Sequence, residues 1–193
     1  MNDLSSDPKR DAILASATTA FSSYGFRKTS MDDIARGADM SRPALYMHFR
    51  NKDDILRSMV DQFFAEAEAD TRAALASDGS VAKRLHRAFL AQSGRMAELL
   101  LTSPHGMELL ESGKGAALEQ VEAGEARLRA VLADWLAAEM AAGRVELLKS
   151  PDHVAGTMMA ALKGLKKPGT SLAEYHARVE TLAVLVGSGL VPR

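Results

Sequence analysis

The charged side chains that could bind a polyanion are concentrated between residues 27 and 52. This window holds six basic and three acidic side chains, a net charge of +3. They are Arg27, Lys28, Arg36, Arg42, Arg50 and Lys52, against Asp32, Asp33 and Asp39. The whole chain carries 24 Lys and Arg against 25 Asp and Glu, so its basic character is local. A local basic patch is typical of a surface that binds nucleic acid.

The sequence offers no convincing catalytic arrangement. It has no cysteine, no glycine-rich phosphate loop, and no plausible Ser-His-Asp or carboxylate pair. The histidines His86, His105, His153 and His176 lack a repeated metal-binding spacing, and His105 with Glu108 alone would make a poor metal site. We therefore expect a protein that is not an enzyme and uses no cofactor or metal. The absence of cysteine excludes disulfides and fits a cytoplasmic location.

Residues 30–38 predict a short helix. Ser30 followed three positions later by Asp33 has the layout of a capping box, with Asp in place of the usual Glu. Apolar residues then recur at i, i+3, i+4 and i+7, which places them on one helical face. They are Met31, Ile34, Ala35 and Ala38.

A second short helix is predicted after a tight turn. Ser41 can cap it, and Pro43 is tolerated because it lies in the first turn. Leu45 and Phe49, four residues apart, form its inward pair. The outward residues are Arg42, Ala44, Tyr46 and His48. Two helices at this spacing are typical of a helix-turn-helix, whose second helix enters the major groove of DNA.

The remaining sequence predicts more helices and an all-α fold. Alanine is frequent while β-branched and aromatic residues are sparse, which favours helix. No apolar run is long enough to span a membrane, and the N-terminus lacks the apolar region of a signal peptide. The final residues, 190–193, resemble part of a thrombin cleavage site, so we interpret 187–193 as a sequence added for expression and leave it out of the fold.

The residues of the helix-turn-helix and its flanks resemble the tetracycline-repressor (TetR) family of bacterial transcription regulators. The resemblance covers about residues 9–56 and rests on several segments of the sequence. These are Ala12-Ile13-Leu14 with Phe21 and Gly25-Phe26, Thr29-Ser30-Met31 with Ile34-Ala35, Ala38 and Ser41, Leu45-Tyr46 with His48-Phe49, and Asn51 to Leu56.

The resemblance implies an Ω-shaped homodimer with a three-helix DNA-binding domain at residues 1–50 and a helical ligand-binding and dimerisation domain at 51–186. It also implies a DNA-contacting set, namely Ser30, Ser41, Arg42, Pro43, Ala44, Tyr46, His48 and Lys52. Arg42, Pro43 and Ala44 would approach base edges, whereas Ser30, Tyr46, His48 and Lys52 would hold phosphates. The family often has Gly and Thr at positions 43 and 44, and Gly at position 39, where Asp tolerates a left-handed turn less well.

The C-terminal half contains candidates for a ligand pocket and for a dimer interface. The pocket set is Phe63, Phe89, Gln92, Met96, Met107, Glu125 and Trp135, and the alternative is that the apolar members form the core while Gln92 and Glu125 extend to water. The interface set combines small residues at every fourth position with an apolar stripe: Gly156, Ala160, Gly164, Val179, Leu182 and Val186. The alternative there is packing within one chain.

Our hypothesis is therefore a homodimeric transcription regulator, a repressor that leaves its double-stranded DNA operator when a small, largely apolar ligand binds. An activator or constitutive DNA binder without a ligand remains open as an alternative. A helical metabolite-binding protein is a third hypothesis. Loss of DNA binding after replacement of Arg42 and Tyr46 would argue against the third.

Overall fold

The computed structural model describes residues 7–166 and 169–192. Within these ranges, only the backbone is described for Gly94, Arg95, Met107, Leu110, Gly113 and Lys114. The described residues form nine α-helices and no strand, so the all-α prediction is confirmed. The helices are α1 (Pro8–Tyr24), α2 (Met31–Gly37), α3 (Arg42–His48), α4 (Lys52–Ala76), α5 (Val81–Thr102), α6 (Gly106–Ala116), α7 (Leu118–Ala141), α8 (Pro151–Leu165) and α9 (Leu172–Leu190). Within this description, no helix combines the length and the apolar character that a membrane span needs.

The helices divide into two compact units, each made of two separate stretches of chain. The first unit contains the described residues from Asp7 to Gln62 and the segment Thr102–Val121, and the second contains Phe63–Leu101 and the described residues from Glu122 to Pro192. The domain boundary that we predicted after residue 50 therefore lies inside the first unit. The physical reason is that the start of α4 is buried there, and that Arg57 Nη1 donates to the carbonyl of Ala116 at 3.1 Å.

The first unit has a core formed by α1, α2, α3 and the beginning of α4. Its fully buried larger side chains are Ile13, Phe21, Ile34, Leu45 and Ile55. Gly25 ends α1 with a φ of 86°, as the sequence predicted. A Cβ atom at this glycine would lie 2.5 Å from Glu108 Oε2 of α6, so that carboxylate would have to shift, and the positive φ itself favours glycine here.

The second unit has a separate core, which contains one buried acid. Leu85, Phe89, Leu132, Leu136 and Tyr175 are among its fully buried side chains. Glu139 of α7 is also buried, with only 3% of its surface exposed. Its carboxylate accepts paired hydrogen bonds from Arg144 and Arg84, which lower the pKa of Glu139 to about 2. The charge is therefore compensated rather than isolated.

The end of α9 is part of this fold, which corrects the treatment of residues 187–193 as lying outside it. Gly187 is buried, and a Cβ atom there would lie 2.5 Å from the Cα of Ala82. Leu190 is also buried, and its carbonyl accepts a 2.8 Å hydrogen bond from the N–H of Glu146. Residues 187–190 are thus part of the second unit, and the interpretation of 187–193 as an added sequence stays a prediction. Arg193 lies outside the described residues.

The turn between α2 and α3 depends on a left-handed residue. Asp39 has a φ of 53°, and no other non-glycine residue in the described ranges has a positive φ. Its N–H donates to the carbonyl of Arg36, and the N–H of Met40 donates to the carbonyl of Ala35. These two bonds make a Schellman motif, which closes the C-terminus of α2. The resemblance had implied a left-handed residue at this position, and the φ of Asp39 agrees with it.

Replacing Asp39 with glycine should stabilise the protein. The left-handed conformation costs an L-residue roughly 1–2 kcal/mol. Glycine avoids this cost, but about 0.5–1 kcal/mol of the gain is lost because glycine has more conformational freedom in the unfolded state. We expect Asp39→Gly to raise the free energy of unfolding by roughly 0.5–1 kcal/mol in urea denaturation. Asp39→Ala is the control, because it removes the same carboxylate but keeps the strained φ. Equal stabilisation by both variants would show that the backbone is not the cause.

Candidate nucleic-acid interface

The two caps that position α2 and α3 form as predicted. Ser30 Oγ accepts from the N–H of Asp33 at 3.1 Å, and the Asp33 carboxylate accepts from the N–H of Ser30 at 2.9 Å. Ser41 Oγ caps α3 by accepting from the N–H of Ala44 at 3.3 Å. The Ser30 hydroxyl also donates to Asp33 Oδ2, so its proton is already used in the absence of DNA. These hydroxyls therefore set the direction of the two helices.

The rotation of α3 is fixed by the burial of Leu45 and Phe49. Leu45 is fully buried and Phe49 is nearly so, which confirms them as the inward pair. At 100° per residue, Pro43 and Met47 lie about 160° and 200° around the helix axis from Leu45. Both are exposed, and Met47 exposes 86% of its surface. Met47 was absent from the predicted site, although its helical position opposite Leu45 could have revealed it.

Arg42 and Tyr46 occupy one flank of this outward face. Arg42 Nη1 lies 3.2 Å from Asp32 Oδ2 of α2, and its guanidinium carbon lies 5.6 Å from the centre of the Tyr46 ring. The Tyr46 phenol and the Asp32 carboxylate together raise the pKa of Arg42. Both side chains are exposed. Arg42 is therefore oriented by two neighbours while its charge stays accessible.

Ala44 and His48 occupy the opposite flank and are half-buried. The His48 ring places Nδ1 at 3.4 Å from Asp7 Oδ2, and Asp7 is the residue that caps α1. The sequence predicted that Ala44 and His48 face outward together with Arg42 and Tyr46. The structure places these two pairs on opposite flanks and puts Pro43 and Met47 between them.

Lys52 is bound within the protein, which disagrees with the phosphate contact that the resemblance implied. Its ammonium group donates to three carbonyl oxygens, those of Phe26 at 2.7 Å, Thr29 at 2.6 Å and Arg27 at 3.2 Å. The side chain is half-buried, and its nitrogen also lies 4.9 Å from the centre of the Phe26 ring. An ammonium has three protons, so all of them are used within the protein. Lys52 therefore holds the connection between α1 and α2.

Acidic neighbours hold most of the other basic side chains in this region. Arg36 lies 3.6 Å from Asp33, and Arg50 Nε donates to Asp54 at 2.6 Å. Arg50, with Arg57, holds the pKa of Asp54 well below its usual range. The net charge of +3 that the sequence window shows is thus partly compensated by Asp54, which lies just outside that window.

The residues predicted to form a ligand pocket are scattered: six of them lie in the second unit, and Met107 belongs to the first. Phe89 is fully buried, Gln92 is buried against the sulfur of Met159, and Phe63 packs edge-to-face on Phe64. Met96 is half-buried, and the side chain of Met107 lies outside the described residues.

The two remaining pocket candidates differ in their surroundings. Glu125 is half-buried and forms a 2.7 Å ion pair with Lys163, which agrees with the alternative that it extends to water. Trp135 is half-buried beside Arg84, and its indole N–H has no partner among the described groups.

A small cavity of about 180 Å³ lies elsewhere in the second unit, between α5 and α9. Leu90, Ala97 and Leu172 line it together with the hydrogen-bonded pair Ser93 and Tyr175, and burial raises the pKa of Tyr175. None of the predicted pocket residues lines this cavity. Its volume is below the roughly 300–1,000 Å³ of typical ligand pockets.

The residues predicted to form a dimer interface separate into inward and outward groups. Val179 is fully buried, and Leu182 and Val186 pack on the core of the second unit, so Val179 has no surface to offer a partner. Gly156 is half-buried beneath the guanidinium of Arg129. Ala160 and Gly164 are exposed.

The outward face of α9 carries residues that the sequence reading passed over. Val184 and Leu185 are exposed on this face by 51% and 68%. The smaller Ala177, Thr181 and Ser188 are exposed on the same side. A solvated helix would carry mostly charged and polar residues on such a face.

Among the described residues, no group of three or more His, Cys, Asp and Glu side chains could hold a metal ion.

The geometry of the first unit defines a helix-turn-helix DNA-binding domain. Residues 13–59 match the family model described as bacterial regulatory proteins, tetR family. The chain is 37% identical over 65 residues to the HTH-type transcriptional regulator EthR of Mycolicibacterium smegmatis, which is 34% of this chain and 30% of that protein. It is 36% identical over 55 residues to the negative regulator of the biofilm operon, IcaR, of Staphylococcus epidermidis, which is 28% of this chain and 30% of that protein.

The whole chain resembles solved structures of the same family in fold. The crystal structure of a putative TetR-family transcriptional regulator from Rhodococcus sp. superposes with a TM-score of 0.71 over 93% of this chain and 99% of that one, at 23% identity. This similarity concerns the fold, while the match of residues 13–59 to the family model confirms the TetR-family resemblance for the N-terminal DNA-binding domain. The matched stretches span only 30% of each of the two curated relatives.

Replacing Lys52 should lower stability without changing the number of phosphate contacts. We expect Lys52→Ala to cost roughly 2–3 kcal/mol in urea denaturation, because it removes three hydrogen bonds from a charged donor. The DNA-binding constant is then measured at several salt concentrations, at a temperature where the variant stays folded. The slope of its logarithm against the logarithm of the salt concentration should equal that of the wild type. A lysine that contacts phosphate would instead reduce this slope by about one. Such a reduction, with unchanged stability, would restore Lys52 to the DNA interface.

Proposed function

We propose that this protein is a homodimeric transcription regulator, a repressor that acts in the cytoplasm and binds operator DNA through α3. One observation carries the proposal. The helix-turn-helix matches the family model, and the outward face of its second helix makes no core contacts and lies between two polar flanks. The match with EthR and the match with IcaR, which is named a negative regulator, support a role in transcription and favour repression.

The flanks of α3 suit the sides of a major groove. Tyr46 and His48 lie on opposite flanks, where a phenol and an imidazole can each donate to a phosphate of the DNA backbone. The N-termini of α2 and α3, with Ser30 and Ser41, add backbone N–H groups that favour anions. Arg42 has the longest reach, and Asp32 and Tyr46 orient it, so it is our candidate for bidentate recognition of guanine O6 and N7.

Dimerisation would supply the second half-site. The outward face of α9 is apolar and small around Ala177, Thr181, Val184 and Leu185, and on α8 nothing lies within 4 Å of a Cβ atom built at Gly164. Two such helices from each subunit would bury these faces in a four-helix interface. A second copy is the occupant that suits the function, because two recognition helices related by two-fold symmetry read an operator of two half-sites.

An effector would act through the second unit. Buried polar atoms without a partner are uncommon in proteins, and among the described groups this unit has four: Gln92 Oε1, Trp135 Nε1, Thr71 Oγ1 and Arg84 Nε. An uncharged, largely apolar molecule with a donor and an acceptor could satisfy such groups. Binding that favours a different spacing of the recognition helices would then release the operator. Titrating candidate effectors against operator binding separates this mechanism from constitutive binding.

The DNA protected by the full chain upstream of its own gene provides the operator for the next test. Arg42→Ala should weaken binding to this operator by roughly ten- to hundred-fold, the discrimination that a bidentate guanine contact gives. Binding to unrelated DNA should weaken much less. Arg72→Ala is the matched control, because Arg72 is equally part of an exposed ion pair, with Glu68 at 2.9 Å, but lies on α4 in the second unit. An equal loss on both DNAs would make Arg42 a phosphate contact only.

Charges placed on the outward face of α9 should separate the subunits. We expect the double replacement Val184→Glu and Leu185→Glu to convert a dimer into a monomer in light scattering at micromolar concentration. Operator affinity should fall with it, because one half-site is lost. Leu148→Glu is the control, since Leu148 is 96% exposed in the connection before α8. A wild-type protein that is monomeric under these conditions would refute the dimer.

A further inference from the structure

An apolar strip of two residues occupies the centre of the outward face of α3. Pro43 and Met47 are four positions apart, so they lie one above the other on the helix. Met47 is the most exposed large apolar side chain among the described residues of the first unit. Met47 exposes 86% of its surface against 42% for Tyr46, the other exposed large hydrophobic side chain on this helix.

The side chains beside this strip have partners in the neighbouring helices. Arg42 is held by Asp32 of α2, and His48 by Asp7 at the start of α1. Pro43 has no N–H, and the thioether of Met47 is only a weak acceptor. The centre of the face can therefore recognise a base edge only by apolar contact. In the major groove, the apolar group that distinguishes one base from the others is the C5 methyl of thymine.

We propose that Pro43 and Met47 read thymine by contact with its C5 methyl group. The inference rests on the proposed function, because it requires α3 to enter the major groove. Met47 points straight away from Leu45, so it projects to the floor of the groove, while Arg42 and His48 project to the sides. Methionine is unbranched and polarisable, which lets it close on a methyl group without a fixed geometry.

Operator DNA in which deoxyuridine replaces thymidine tests the inference directly. Uracil pairs as thymine does and keeps every hydrogen-bonding group, so only the methyl is lost. A duplex is first selected from a randomised pool by the wild-type full chain, and each thymine of one half-site is then replaced in turn. Removing a methyl from an apolar contact should weaken wild-type binding by about four-fold at one or two positions. At one of these positions, the Met47→Ala variant should bind the thymine duplex and the uracil duplex equally.

Matched variants distinguish the contribution of the apolar strip from that of Arg42 on its flank. Arg42→Ala should weaken binding but keep the ratio between thymine and uracil duplexes, whereas Pro43→Ala should reduce that ratio. Because Met47 is exposed, Met47→Ala should leave the unfolding temperature unchanged, so its effect cannot come from misfolding.

The possible failures are distinguishable. A selection that enriches no sequence would refute the proposed function and this inference with it. An enriched site at which uracil substitution has no effect on the wild type would refute only the methyl contact. The same holds if Met47→Ala keeps the full discrimination between thymine and uracil.

Discussion

The burial of Leu45, with Phe49 one turn later, is the constraint on which the DNA-binding surface depends. A helix of seven residues is too short to hold its own orientation, so its rotation is set by the side chains that it buries. Once Leu45 points into the core, Pro43 and Met47 must point out, and the polar side chains must lie on the two flanks. The capping hydroxyls of Ser30 and Ser41 then fix where the two helices begin.

Basic side chains on this surface form ion pairs with acidic side chains of the same protein in the absence of DNA. Asp32 orients Arg42, and Asp54 orients Arg50. Such pairs lower the electrostatic attraction for DNA in general, because binding must compete with the internal carboxylates. They also reduce the conformational freedom that a guanidinium loses when it forms a specific contact. This arrangement favours discrimination between sequences over strong binding to any sequence.

The sequence predicted those features of the fold that depend on neighbouring residues. The capping box at Ser30, the cap at Ser41 and the stop at Gly25 each arise within a few positions, and all are confirmed. The contacts that the sequence did not reveal involve distant partners. Lys52 donates to carbonyls some 25 residues away, and Glu125 pairs with Lys163 across 38 residues. An apolar stripe such as that of α9 shows periodicity but not whether its partner lies in the same chain, so Val179 was assigned outward when it is buried.

The interleaving of the two units has a consequence for how this DNA-binding module can be exchanged. The segment Thr102–Val121 belongs to the first unit, and Glu108 within it accepts a 3.0 Å hydrogen bond from the N–H of Arg27. The module is therefore not one continuous stretch of chain. A chimaera joined at a single point after α3 would carry the recognition helix of this protein but lose the carboxylate that caps its α1–α2 connection. Recombination that preserves the module must transfer two separate stretches of the gene. The recognition helix and α6 would therefore be inherited together.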